Sequence, residues 1–97
     1  MATENIIADY LLAAEQGNIA KLTACLASGV DINASNRQGR TAITLASLNK
    51  HYACVSVLIA AGADINKQDQ TYFNPFLISC LNNDVELLRL ILPANPD

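Results

Sequence analysis

Two five-residue stretches, Gly29-Val30-Asp31-Ile32-Asn33 and Gly62-Ala63-Asp64-Ile65-Asn66, stand thirty-three residues apart. A further step of thirty-three lands on Asn95-Pro96-Asp97, at the end of the sequence. A fixed period of this length marks a chain built by repeating one supersecondary unit. With residues 8–35 set over 41–68, the pairs Leu12/Leu45, Ala13/Ala46, Ala20/Ala53, Ala27/Ala60, Gly29/Gly62, Asp31/Asp64, Ile32/Ile65 and Asn33/Asn66 are identical. Residues 74–97 continue the register with fewer identities, among them Leu48/Leu81 and Asn49/Asn82, but largely keep residue class.

Within each unit the apolar spacing is helical and occurs twice. Leu12/Leu45/Ile78 and Ala13/Ala46/Ser79 are expected to point inward from a first helix, with small residues allowing close approach. Thr41 and Asn74 are suited to N-cap the second and third units, and Pro75 to the first helical position. The first unit is expected to begin around Ile6 to Asp9. Tight turns follow at Gln16-Gly17-Asn18, Asn49-Lys50-His51 and Asn82-Asn83-Asp84. Ile19/Tyr52/Val85, Leu22/Val55/Leu88, Cys25/Leu58/Ile91 and Leu26/Ile59/Leu92 then form one face of a second helix. Gly29 and Gly62 end that helix as left-handed caps, and Asp31 and Asp64 favour the turn beyond. The fold class is therefore all-α, a solenoid of stacked helix-turn-helix pairs joined by hairpin-like finger loops, with about three repeats.

Composition narrows the function. Six Lys and Arg against nine Asp and Glu give a net charge of −3, which argues against nucleic acid as a partner. The N-terminus lacks a basic signal-peptide region, and no apolar run reaches the length of a membrane span. Cys25, Cys54 and Cys80 contain no CxxC and are expected to be small buried hydrophobes, as suits a cytoplasmic chain. His51 is the only histidine and is expected to act as a local hydrogen-bonding or capping group. No metal site, cofactor or catalytic motif is expected. Asn33-Ala34-Ser35 matches a glycosylation sequon, but the repeat already accounts for the asparagine.

The chain resembles the ankyrin-repeat family, in particular short cytoplasmic bacterial members. The resemblance runs from about residue 5 to the end. It rests on Asn36-Arg37-Gln38-Gly39-Arg40-Thr41-Ala42-Ile43-Thr44, Gly62-Ala63-Asp64-Ile65-Asn66, Asp69 and Asn74-Pro75-Phe76-Leu77. Two departures stand out. Thr44 occupies the family's usual histidine position, and Tyr72 the fingertip position that is Gly39 one unit earlier. The second finger is therefore expected to turn differently.

The resemblance implies repeats at approximately 5–35, 36–68 and 69–97, in a single domain. It also implies a non-enzymatic protein-protein interaction module or scaffold, whose finger loops and concave helix face bind an unknown partner protein. By position, the binding residues would be Arg37, Gln38, Arg40, Leu48 and Asn49 in the second unit. In the third they would be Gln70, Tyr72, Phe73, Leu81 and Asn82, with Thr71 beside them, and the first would add Glu15 and Gln16. Arg37, Arg40 and Lys67 form an expected basic spot, and Tyr72-Phe73 an aromatic one.

The outer ends differ: with Lys21 and Ala24 the first unit is more polar than the third, which has Leu87 and Leu90 at those positions. A third unit of internal character suggests an N-terminal fragment of a longer array. The alternative is a self-associating structural unit, a homodimer through the third repeat.

Overall fold

The apolar residues Ile7, Tyr10, Leu11 and Ala14 recur every three or four positions and wind into α1 (Ala2–Gln16). The computed structural model describes the backbone of residues 2–94 and the side chains of residues 6–93; the loop copy expected at 95–97 lies outside the described residues. After α1 come α2 (Ile19–Ala27), α3 (Ala42–Leu48), α4 (Tyr52–Ala60), α5 (Pro75–Leu81) and α6 (Val85–Ile91), then a 3-10 turn at Leu92–Ala94. The helix starts at Ala2, earlier than the expected Ile6 to Asp9. Among the described residues the only extended pairing is a single antiparallel bridge between Ser35 and Thr41.

Seven residues, the length of α3, α5 and α6, is about half of what an isolated helix needs in water. These helices persist because they are capped and sealed by neighbours. Thr41 accepts the Thr44 N–H, Asn74 the Leu77 N–H and Asp84 the Leu87 N–H. Pro75 takes the first position of α5, as the sequence predicts. The odd helices α1, α3 and α5 form one layer and the even helices α2, α4 and α6 the other, in a molecule of 39 × 25 × 24 Å.

Burial depends on place in the stack. Ala42 to Ser47 are all buried, because α3 lies between α1 and α5. Leu12, expected to face inward like Leu45 and Ile78, is 49% exposed: the latter two are covered by the helix pair before them, and Leu12 lies on the outer side of the first pair. Cys80 is exposed, contrary to expectation, whereas Cys25 and Cys54 are buried. Burial pushes the Cys54 thiol up, away from thiolate chemistry.

Polar side chains fasten each repeat internally and to the next. The Tyr10 hydroxyl donates to the Ile32 carbonyl at 2.8 Å. Burial, followed by the charges at Asp31 and Cys25, raises its pKa above the usual phenol range. Tyr52 donates to both carboxylate oxygens of Asp84, at 2.9 and 3.0 Å. Burial, then that bond and the charges of Asp84 and Glu86, raise the Tyr52 phenol as well. Asn33 explains the recurring loop, since its side-chain oxygen accepts the Asp64 N–H at 2.8 Å and so clasps one copy of the loop to the next.

His51 stands at the N-cap of α4 but makes no cap bond. Its Nε2 instead lies 3.0 Å from the Glu15 carbonyl, thirty-six residues away, so the local role expected for it is replaced by an inter-repeat one. The ring packs over Gly17, whose φ of +76° and missing Cβ make room for it: a Cβ there would fall 2.7 Å from His51 Nδ1. Lys50 and Asn83, the equivalents of Gly17, also have positive φ.

Gly17→Ala is predicted to cost more than the roughly 1–2 kcal/mol of a left-handed L-residue, because the clash with His51 adds to it. Urea denaturation of the single and double variants checks this: the cost should shrink in a His51→Ala background.

Candidate functional site

Two fingers project from the stack, one closing over residues 36–40 and the other over 69–73. They are held the same way. In the first, the Asn36 side chain accepts the N–H groups of Gln38 and Arg40 at 2.9 and 3.0 Å, and the Asn36 N–H donates to the Arg40 carbonyl. In the second, Asp69 Oδ1 accepts the N–H groups of Thr71 and Phe73 at 2.8 and 2.9 Å, and the Thr71 hydroxyl at 2.7 Å. The Asp69 N–H likewise donates to the Phe73 carbonyl.

Tyr72 therefore does not make the finger turn differently. It takes φ +68° where Gly39 takes +78°, and each N–H donates to the carbonyl three residues back. The Asp69 side chain, bonded on both sides of Tyr72, holds an aromatic residue in a conformation that suits glycine. At Gly39 the constraint is also steric: a Cβ would sit 3.2 Å from the Gln70 backbone nitrogen, where the second finger crosses the first.

The fingers are joined to each other. The Gln70 N–H donates to the Gln38 carbonyl at 2.9 Å, and Gln70 Nε2 to the Arg37 carbonyl at 2.6 Å. Arg40 Nε donates to Asp69 Oδ2 at 3.2 Å. Burial alone would raise the Asp69 pKa, but the Thr71 hydroxyl, the Phe73 and Thr71 amides and Arg40 together lower it to about 2.

This network redistributes the expected binding residues. Arg40 is half-buried against Asp69, and the Lys67 ammonium donates to the Asn33 carbonyl at 3.3 Å. Of the expected basic spot, Arg40 is thus drawn into an ion pair, while Arg37 and Lys67 stay exposed with no ion-pair partner among the described residues. The aromatic pair divides too: Tyr72 is 72% exposed, whereas Phe73 packs against the core. Gln38, Gln70, Thr71, Asn49, Leu81, Asn82, Glu15 and Gln16 are exposed, and Leu48 is half-buried. Asn49 donates to the Leu45 carbonyl at the end of α3.

Sequence reasoning missed a shallow groove of about 530 Å³, lined by Ile7, Ala8, Leu11, Ser35, Asn36 and Arg37. It exists because α1 extends beyond the length of α3 and α5 and overhangs the first finger. The signal was present in the spacing of Ile7 and Leu11. Among the described residues no group of three His, Cys, Asp or Glu side chains could hold a metal ion.

A family model described as ankyrin repeats, in three copies, matches residues 10–97. The chain is similar to the ankyrin repeat protein YahD of Escherichia coli K12, with 69% identity over 97 residues, covering all of this chain and 48% of that protein. It is also similar to human mitochondrial disaggregase, at 42% over 62 residues, covering 64% of this chain and 9% of the disaggregase. Ankyrin repeat domain-containing protein 29 of Danio rerio is 49% identical over 57 residues, covering 58% of this chain and 19% of that protein. The chain thus spans about half the length of the E. coli relative and less of the others.

The Asp69 shift carries a pH prediction. Its folded pKa of about 2 lies below the ordinary carboxylate value of about 3.9, so its contribution to stability is complete above that value and is lost as pH falls toward 2. Acid titration followed by circular dichroism should show stability declining between about pH 4 and 2. Asp69→Asn should be less stable at neutral pH and should flatten that part of the curve.

Proposed function

This chain belongs to the ankyrin-repeat family, and from that premise we propose that it is a non-enzymatic module that binds a partner protein through its finger loops and concave helix face. Ankyrin repeats generally mediate protein-protein interaction. The binding surface would be centred on Tyr72 and Arg37, with Gln38, Gln70, Asn82 and the groove beside Arg37 around them. Among the described residues no helix is long and apolar enough to cross a membrane, which is compatible with action in the cytoplasm.

The observation that carries this reading is Tyr72. A bulky residue with φ +68° costs the fold roughly 1–2 kcal/mol, and its ring, 72% exposed, recovers little of that by packing. A fingertip that favours glycine but carries an exposed tyrosine has given up stability for an accessible aromatic ring. Aromatic residues and arginine dominate protein-binding hot spots. The finger network adds to this, since a surface ordered before contact loses less entropy on binding.

Stability and binding should therefore move in opposite directions in Tyr72→Gly. Thermal melting should show a fold stabilised by about 1 kcal/mol. Capture of partner protein from the native cytosol should fall below that of the unsubstituted chain, and Arg37→Ala should lower capture without the gain in stability. Equal capture by all three proteins would place the binding surface elsewhere.

A further inference from the structure

Comparison of the two fingers, amide by amide, isolates one donor. In the second finger every N–H from Asp69 to Phe73 is engaged. Those of Asp69, Thr71, Tyr72 and Phe73 close the turn, and that of Gln70 donates to the Gln38 carbonyl of the finger before it. In the first finger the N–H groups of Asn36, Gln38, Gly39 and Arg40 close the turn in the same way. Arg37, one period before Gln70, has no acceptor for its N–H among the described residues. The reason lies in α1. Residues 3–7, one period before the finger at 36–40, are wound into that helix, so no preceding finger offers a carbonyl. Beside Arg37, where such a finger would lie, is the groove of about 530 Å³ walled on its other side by Ile7, Ala8 and Leu11.

We propose that this groove takes an extended, acidic segment of a partner protein, which adds to the first finger as the two fingers add to each other. The docking inside the molecule supplies the template. The Gln70 N–H and side-chain amide both donate to backbone carbonyls of the first finger, at 2.9 and 2.6 Å. Arg37 carries the equivalent pair of donors one period earlier, a backbone N–H and a side-chain head group, and lines the groove. A backbone carbonyl of an added strand satisfies the first. The second is a planar guanidinium fork that matches a carboxylate, which sets the charge of the segment.

Charge complementarity favours that occupant. Arg37 is the one charged residue lining the groove among the described residues, and the others are apolar or neutral. A lysine-bearing segment would meet a like charge there, and an acidic one an opposite charge. Ile7 is half-buried and Ala8 exposed, so the α1 wall accepts an apolar side chain. An extended segment supplies both, because its alternate side chains point to opposite sides. Both walls lie within residues 7–37, and α1 continues back from Ile7 to Ala2 as helix, along its own axis. The finger is ordered before contact, which lowers the entropy lost on docking. This inference rests on the reading of the fingers as a partner-binding surface and gives that partner a chemistry.

The test is amide NMR on the full chain, titrated with a short blocked peptide of alternating valine and glutamate. Valine–lysine and valine–glutamine peptides are the controls. In the free chain the Arg37 amide should exchange quickly with solvent, and the Gln70 amide slowly. The glutamate peptide should slow exchange at Arg37 and shift the Arg37 and Ala8 signals, and the lysine peptide should do neither. Arg37→Glu, at an exposed position, should weaken the glutamate peptide more than about tenfold and turn the preference to lysine. Ala8→Glu, exposed on the opposite wall, should weaken the glutamate peptide too. A slowly exchanging Arg37 amide in the free chain means that the chain fills the groove itself, and overturns the proposal. So does an absent response at Arg37, or an equal response to all three peptides. Shifts confined to Tyr72 and the concave helix face overturn the groove and leave the partner-binding reading standing. A groove response, with partner capture that Tyr72→Gly leaves unchanged, supports the groove and sinks the Tyr72 surface.

Discussion

Every helix pair here depends on its neighbours to exclude water. Two helices of seven to nine residues, as in the second and third repeats, bury one stripe between them and leave apolar stripes on either side. Those stripes are sealed only when another pair stacks on them. The second repeat, covered on both sides, has the most buried first helix, whereas the first and third each expose what a neighbour would cover. Most structural differences between the repeats follow from place in the stack, and fewer from identity of residue.

The fingers follow a second rule, which is hydrogen bonding across repeats. Asn36 and Asp69 perform the same turn-closing task, one neutral and one charged. The charged version can also accept Arg40 from the neighbouring finger, so the second finger closes its own turn and docks on the first with a single side chain. That surplus of bonds is what holds Tyr72 in the left-handed conformation. The exposed ring is therefore supported by a carboxylate buried beneath it.

Much of this was legible because caps and turns are local. Thr41, Asn74 and Pro75 identify helix starts from their own chemistry, and the period of thirty-three places Gly29 and Gly62 at matching exits. What was not legible depended on contacts across repeats. Leu12 and Cys80 follow the pattern of buried positions, but their burial would require a neighbour on the outer side. Arg40 reads as an exposed charge because nothing in its own segment shows that Asp69 lies within reach. Tyr72 was expected to change the turn, since a residue's own preference does not reveal the bonds that override it.

The six consecutive buried residues of α3 also bear on how the molecule opens. Its amides are shielded by helices on both sides, while the outer pairs are shielded on one side only. Local opening should begin at the two ends and reach α3 last, which makes Ala42–Leu48 the slowest-exchanging segment of the chain. Both fingers connect directly to the ends of this central helix pair or the one that follows it. A partner that grips both fingers would tie the third helix pair to the second and hold the two against local opening.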